Sequence, residues 1–513
     1  MCLHIVSARE DTFFLLLEPI FELKMTALSV AILLLVVYIS TTTNALDNGL
    51  AMTPPMGWMS WERFTCQIDC YYQPTICINE KLYRETADRL QHDGYLELGY
   101  EYVNIDDCWS EKQRDNVTDN LVPDKERFSS GIKSLADYVH SKGLKLGIYG
   151  DCGTKTCAGY PAQLRPDGTN YTQDNYFEKD ANLFNAWEID SFKFDGCFIL
   201  PDKAESICPL MAHALNKTNR PILLTCEWPF YMLRERSYHL NPDYNLAEKS
   251  CNLWRYYEDV EDSWLSILSI VDFSITMQEE ICAYHGPGGW FDPDQLVIGN
   301  FGLSLNQARA QMAIWSIWSA PLFMSNDLRH IHPSMAAILK NEKVIAVDQD
   351  PLGLFGQMVQ QEGKFEVFVK AAMPIKKVCP SFVIVVLYRE TLGNSKPYFI
   401  KMRDTLKRVP RIMWTQLSRR IATLEPERKI DVEACVRQIQ TAMTVVPRIP
   451  PEGLIQPTNL PARQPSLQET PVYYHVEDLF DDILVENEIG LNSSIGLTVN
   501  PSGVRMIKLT EID

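Results

Sequence analysis

SFKFDGCF, residues 191–198, alternates along its length. Phe192, Phe194 and Phe198 fall on one parity, and Lys193, Asp195 and Cys197 on the other. Successive side chains of a strand point to opposite faces. An extended chain here therefore has one aromatic face and one face bearing a cation, a carboxylate and a sulfur. Burying a charge costs several kcal/mol unless it has a partner or a purpose. A strand carrying two charges on one side is expected to border a site, with Lys193 as the charge partner of Asp195.

The same texture recurs at MGWMSW (56–61), YVNIDDCW (102–109), LKLGIYGD (144–151), PILLTCEW (221–228), CNLWRYY (251–257), WFDPDQLV (290–297) and APLFMSND (320–327). Amphipathic stretches such as IKSLADYVHSKG lie between several of these runs. Eight strand-like units alternating with helices predict an α/β fold, a (β/α)8 TIM barrel over residues 46–345. An open doubly wound sheet is the alternative, but no glycine-rich phosphate loop accompanies the strands. Active sites of such barrels lie at the C-terminal strand ends, where the polar residues cluster here.

Beyond residue 345 the pattern changes to KFEVFVKAA, SFVIVVLYRE, PVYYHVEDLF and SIGLTVNPSGVRMIKL, which predicts a smaller antiparallel β-sandwich domain over 346–513. Within it, residues 405–470 carry the basic pairs Lys407-Arg408 and Arg419-Arg420 and a proline-rich tail, and read as an atypical, flexible insertion.

Residues 1–45 read as an N-terminal extension and a signal peptide, since LSVAILLLVVYI (28–39) has the length of a signal core rather than of a membrane span. The 14 cysteines and the sequons at Asn116, Asn170, Asn216 and Asn492 agree with secretion through an oxidising compartment. An extracellular or lysosomal glycoprotein with no membrane span after cleavage is expected. The net charge of −18 excludes a nucleic-acid partner.

The strand ends supply Trp61, Asp106, Asp107, Tyr149, Asp151, Lys193, Asp195, Glu227, Trp254, Arg255, Asp292 and Asp294, with Phe230 and Tyr231 just after Glu227. Carboxylates beside aromatics suit a sugar, whose hydroxyls bond to charged oxygens while its C–H face stacks on a ring. Hydrolysis of a glycoside needs two carboxyl groups in different protonation states. Asp195 is the candidate nucleophile. For the acid, EDVED offers Glu258, Asp259, Glu261 and Asp262, which residue chemistry alone does not rank. Neither EF-hand spacing nor a histidine cluster appears, so no metal is expected, and no cofactor.

The stretches LDNGLAMTPPMGWMSWERFTCQIDC, NIDDCW, KTCAGYP, KFDGC, CEWP, GGWFDPDQLVIGNFGLS and APLFMSNDLR resemble the animal lysosomal α-galactosidase and α-N-acetylgalactosaminidase family, glycoside hydrolase family twenty-seven. The resemblance runs from Leu46 to about Leu354, is patchy to 400, vanishes over 405–470 and returns faintly at VYYHVEDLF and VNPSGVRM. It implies a retaining exo-α-galactosidase acting on terminal α-linked galactose, with Asp195 as nucleophile and Asp259 as acid/base. Substrate contacts are implied for Trp61, Asp106, Asp107, Tyr149, Lys193, Glu227, Tyr231, Arg255 and Asp294. In CEWPFYM, Glu227 is placed to bond the 2-hydroxyl, and Phe230 fills the space an acetamide would need. An α-N-acetylgalactosaminidase is the first alternative, and a catalytically silent galactose-binding homologue the second.

The same resemblance implies disulfides Cys66–Cys108, Cys70–Cys77, Cys157–Cys197 and Cys226–Cys251, and a homodimer. Cys152, Cys208 and Cys282 are additional. Tyr256, Phe291 and Gln295 depart from the family pattern, as does an insertion over 163–175 that includes RPDGTNYTQDN.

Overall fold

The computed structural model describes residues 48–166, 172, 175–234, 240–376, 379–427, 431–441 and 472–512. The proposed signal peptide, Asn170 and residues 442–471 lie outside them. Among the described residues, no helix is long and apolar enough to cross a membrane.

Eight parallel strands follow one another around the first sheet: β1 (Met56–Met59), β2 (Tyr102–Asn104), β3 (Lys145–Asp151), β4 (Ser191–Asp195), β5 (Leu223–Cys226), β6 (Leu253–Arg255), β7 (Trp290–Asp292) and β8 (Leu322–Met324). Strand β8 pairs with β1. On its other side it meets Leu296, just past β7: Leu296 N donates to Phe323 O at 2.8 Å and Ser325 N to Leu296 O at 2.8 Å. Those two bonds close the barrel.

The alternation of β4 is realised. Phe192 and Phe194 face outward onto the helix Phe177–Ala186, with ring centroids 4.8 Å from Phe184 and 5.9 Å from Phe177 respectively. Ser191, Lys193 and Asp195 take the other parity and face the barrel interior. Phe198 differs from expectation: the chain has already turned, its φ is 52°, and the ring is 61% exposed. A strand-long alternation cannot register a turn that begins at Gly196.

Gly147 of β3 shows how tightly the interior is filled. A Cβ there would lie 1.9 Å from Asn104 Oδ1 and 2.1 Å from Ser191 Oγ, two atoms hydrogen-bonded to each other at 2.5 Å. Toward the strands' N-terminal ends, Tyr102, Leu223, Leu253, Trp290 and Phe323 form an apolar cluster with Leu50 and Ala51 against it. Hydrophobic material closes that end and leaves the polar strand ends at the other.

The C-terminal part holds a six-stranded antiparallel sheet, ordered β14-β13-β16-β11-β10-β9, and a two-stranded one, β12-β15. Here β9 is Gln357–Glu362, β10 Phe365–Ile375, β11 Pro380–Tyr388, β12 Lys396–Lys401, β13 Tyr473–Asp478, β14 Ile483–Gly490, β15 Ser494–Val499 and β16 Gly503–Glu511. Every residue of β11 is buried, and its parities divide between two cores. Val383, Val385 and Leu387 join the barrel's core beside Ala308, Met312 and Trp315. Phe382, Ile384 and Val386 join the sandwich core with Ile400, Leu497 and Val499.

The segment expected as a flexible insertion folds, as far as it is described. Helices Met402–Leu406, Arg411–Leu424 and Val432–Thr441 cover the sandwich. Met413, Leu417 and Ile421 recur every four residues and bury one stripe of the second helix. Cys435 is bonded to Cys379, just before β11, and Arg403 Nη1 donates to Gln438 O at 2.7 Å and Ile439 O at 3.0 Å, capping the third helix. The second helix also touches the barrel, where Gln416 Nε2 donates to Cys282 O. The basic pairs point to a solvated linker, while the apolar stripe recurs at the four-residue spacing of a helix.

Truncating Leu417, fully buried on that helix, to alanine is expected to cost about 2–5 kcal/mol in chemical denaturation. A flexible segment would lose nothing measurable.

Candidate active site

Asp195 ends β4, and its two oxygens are held from three directions. Tyr149 OH, from β3, donates to Oδ2 at 2.7 Å. Tyr231 OH donates to Oδ1 at 2.8 Å, and the following Gly196 N to the same oxygen at 2.7 Å. Burial and then the Asp195 charge push both phenols above the usual tyrosine range, so they remain donors. The disulfide Cys157–Cys197 closes one wall, with Cys157 Sγ 3.3 Å from Oδ2.

Lys193 is not the partner of Asp195. Its ammonium lies 3.0 Å from Asp106 Oδ2 and 3.3 Å from Glu227 Oε1, across the barrel mouth from both sides. Arg255, 2% exposed at the end of β6, places Nη1 3.3 Å from Asp294 Oδ1 and 3.6 Å from Glu227 Oε1. Among the described residues, Glu227 Oε1 makes no regular hydrogen bond despite those two cations. It is an unspent acceptor inside the site.

Asp106 and Asp107 leave β2 through turns of their own making. Asp106 Oδ1 accepts from Asp107 N at 2.8 Å, and Asp107 Oδ1 from Cys108 N at 2.6 Å. Burial raises the Asp106 carboxyl to about 6, partly offset by Lys193, and raises Asp107 as well. Asp292 at the end of β7 is raised to about 6, again by burial. Its Oδ1 accepts from Asp294 N at 2.8 Å, which fixes Asp294 at φ 78°.

The EDVED carboxylates separate by position. Glu258 lies 3.7 Å from Arg234 on the surface, and Asp262 accepts from Phe301 N and Gly302 N at 2.8 Å each. Asp259 alone among the four contacts Arg255, with Oδ1 3.0 Å from Nη2. Burial works to raise Asp259, but Arg255 and then Lys193 outweigh it and hold the carboxyl below its usual range. Its side chain is nonetheless 56% exposed, open to an incoming ligand. Trp61 stands partly exposed beyond β1, and Phe230 is buried against Tyr231 with ring centroids 5.1 Å apart.

Two of the departures from the family pattern point away from the site. Phe291 packs edge-on against Trp254 and Tyr256 and tilted against Tyr244, away from the barrel interior, and Tyr256 OH bonds Ser274 Oγ at 2.6 Å. Gln295 is the exception: its Nε2 donates to Asp294 Oδ1 at 3.0 Å.

Cys66–Cys108, Cys70–Cys77 and Cys226–Cys251 are bonded, and Cys152 pairs with Cys208. Among the described residues Cys282 is buried and unpaired. Asn116, Asn216 and Asn492 are exposed. Asp151 is fully buried beside Asp195, in the β3–β4 register Asp151↔Asp195. In the sequence Asp151 is only a strand-end residue, because its partners are backbone amides that no side-chain pattern reveals.

A family profile described as alpha galactosidase A matches residues 53–350. The alpha-N-acetylgalactosaminidase of Gallus gallus is 51% identical over 326 residues, 63% of this chain and 77% of that protein. The alpha-galactosidase A of Homo sapiens is 45% identical over 397 residues, 76% of this chain and 87% of that one. The crystal structure of alpha-galactosidase I from Mortierella vinacea superposes with a TM-score of 0.65 at 24% identity, over 90% of this chain and 98% of that one, a likeness of fold.

The raised Asp292 carboxyl sets a pH dependence. Between 3.8 and about 6 the folded chain holds a proton that the unfolded chain releases. Stability from this group is therefore full below that window and falls as pH rises through it. Relative to Asp292→Asn, the wild type is expected to lose about 3 kcal/mol of unfolding free energy between pH 3.5 and 7. A pH-independent difference in denaturation midpoint would contradict the assignment.

Proposed function

The chain belongs to the alpha-galactosidase A family of glycosidases, and from that premise we propose that it is a retaining exo-α-galactosidase acting on terminal α-linked galactose. Asp195 attacks the anomeric carbon while Asp259 protonates the departing glycosidic oxygen. Asp259 then takes a proton from water, which releases galactose from the Asp195 ester. In the free enzyme the Arg255 guanidinium opposes protonation of Asp259. A substrate hydroxyl that draws Arg255 toward itself raises the proton affinity of Asp259 as the Michaelis complex forms. Asp106, Asp107 and Lys193 take ring hydroxyls, Trp61 stacks on the sugar face, and Tyr149 and Tyr231 orient the nucleophile.

Preference for galactose rests on Glu227 with Phe230. The acceptor left on Glu227 supports a bond to a 2-hydroxyl, and the bulk of the Phe230 ring supports exclusion of an acetamide. Forcing a larger group into a filled pocket costs about 1–3 kcal/mol. The 51% identity to an alpha-N-acetylgalactosaminidase over the barrel favours the rival substrate. That figure averages over the whole barrel, while the choice falls on the two positions that would meet C2. The disulfides, the exposed sequons and the apolar run at 28–39 support a secretory route, to the lysosome or outside the cell. A homodimer is part of the same reading.

Purified enzyme at acid pH is expected to hydrolyse a chromogenic α-galactoside with kcat/KM roughly 10–200-fold above that for the α-N-acetylgalactosaminide, with Asp195→Asn as the inactive baseline. The double variant Glu227→Ser, Phe230→Ala is expected to narrow or invert that ratio. Wild-type preference for the acetamido substrate would overturn the specificity, and no turnover of either would leave a sugar-binding protein.

A further inference from the structure

A carboxyl group that the proposed mechanism does not use lies directly behind the nucleophile. Asp151 is 0% exposed. Its Oδ1 accepts from Gly153 N at 2.6 Å and its Oδ2 from Cys197 N at 2.9 Å. No ion pair to Asp151 occurs among the described residues. Burial, and then the neighbouring Asp195, push its carboxyl well above the usual range. An acid kept in such a place without a cation is costly, so its two bonds need a purpose.

Those bonds join the two loops that flank Asp195. Gly153 begins the loop after β3, and Cys197 sits in the turn after β4. Three further links run along the same seam: Cys152 N donates to Asp195 O at 2.9 Å, Thr154 N to Phe198 O at 3.5 Å, and Cys157 is bonded to Cys197. The fit is backbone against backbone, since a Cβ on Gly153 would lie 1.8 Å from Cys197 O. Gly196, one residue before Cys197, donates to Asp195 Oδ1. The Cys197 amide that Asp151 holds therefore fixes the turn that aims the Asp195 carboxylate. The carboxyls of Asp151 and Asp195 lie near both disulfide sulfurs. Because those sulfurs are spent on each other, the group is a brace rather than a metal site.

We propose that Asp151 is a positioning residue for the nucleophile: its carboxyl ties the β3 loop to the β4 turn and thereby sets the angle at which Asp195 meets the anomeric carbon. The inference rests on the nucleophile assigned to Asp195 above. It sets Asp151 apart from residues that bind the sugar, because none of its bonds reaches toward the open site. Asparagine in its place keeps the size and one acceptor, but turns an NH2 group toward one of the two amides.

The test compares wild type, Asp151→Asn and Asp259→Asn on a series of aryl hexosides of decreasing leaving-group pKa, using whichever hexoside the wild type turns over. Galactose affinity and thermal midpoint are measured alongside. A nucleophile displaced by a fraction of an ångström is expected to lose roughly 10–100-fold in kcat. That loss should be the same for every leaving group, with galactose affinity within about twofold of wild type. Loss in Asp259→Asn should instead shrink as the leaving group improves. Should Asp151→Asn fail to fold, Asp151→Ser, which removes the tie without crowding the seam, is expected to give the same kcat-selective, leaving-group-independent loss. Galactose affinity falling in step with kcat, or kcat within about twofold of wild type in a folded variant, would overturn the proposal. Wild-type turnover of galactosides is read separately, so failure of the galactosidase reading is not confused with failure of this one.

Discussion

The pairing of β3 with β4 places Tyr149 beside Lys193 and Asp151 beside Asp195, and the chemistry of the site follows from that register. A slip of one residue would turn Lys193 and Asp195 toward the helices and bring Phe192 and Phe194 into the barrel. Steric and apolar contacts hold the register. Gly147 sits against Asn104 and Ser191 with no room for a side chain, and the two phenylalanines are seated on the helix Phe177–Ala186. The ladder continues past the strands through the Cys152–Asp195 backbone bond and the Cys157–Cys197 disulfide. Asp195 is held in place by bonds between the elements on both sides of it.

Around it the site gathers more acids than bases. Asp106, Glu227, Asp292 and Asp294 share two buried cations, Lys193 and Arg255. Burial first, with neighbouring acids adding to it, pushes proton affinities upward, as the values of about 6 at Asp106 and Asp292 express. A surplus of acceptors suits a ligand rich in hydroxyl donors and without charge. An anion would meet repulsion at the same place. The one acid held low, Asp259, contacts the cation that a bound sugar would recruit.

Much of this was readable in the chain. Period-two alternation with a polar face located β4, and repetition of that pattern eight times gave the barrel. The resemblance at KFDGC and CEWP carried the named roles. What could not be read depends on contacts between segments distant in sequence. Proximity in sequence pairs Lys193 with Asp195, whereas the fold brings Asp106 from β2 and Glu227 from β5 to it. Phe198 obeys the parity and yet lies past a turn that only Gly196 hints at. Helix Arg411–Leu424 is hidden among basic pairs and a proline-rich tail, although Met413, Leu417 and Ile421 mark its buried stripe. Asp151 left no signal beyond its place at a strand end.

Mass spectrometry of the enzyme trapped with a 2,2-difluoro α-galactosyl substrate, in which departure of the sugar from the enzyme is slowed, addresses the nucleophile directly. The account predicts one galactosyl adduct per chain, on the peptide containing Asp195, and release of α-configured galactose in normal turnover. An adduct on another residue, or β-configured product with no adduct, would contradict it.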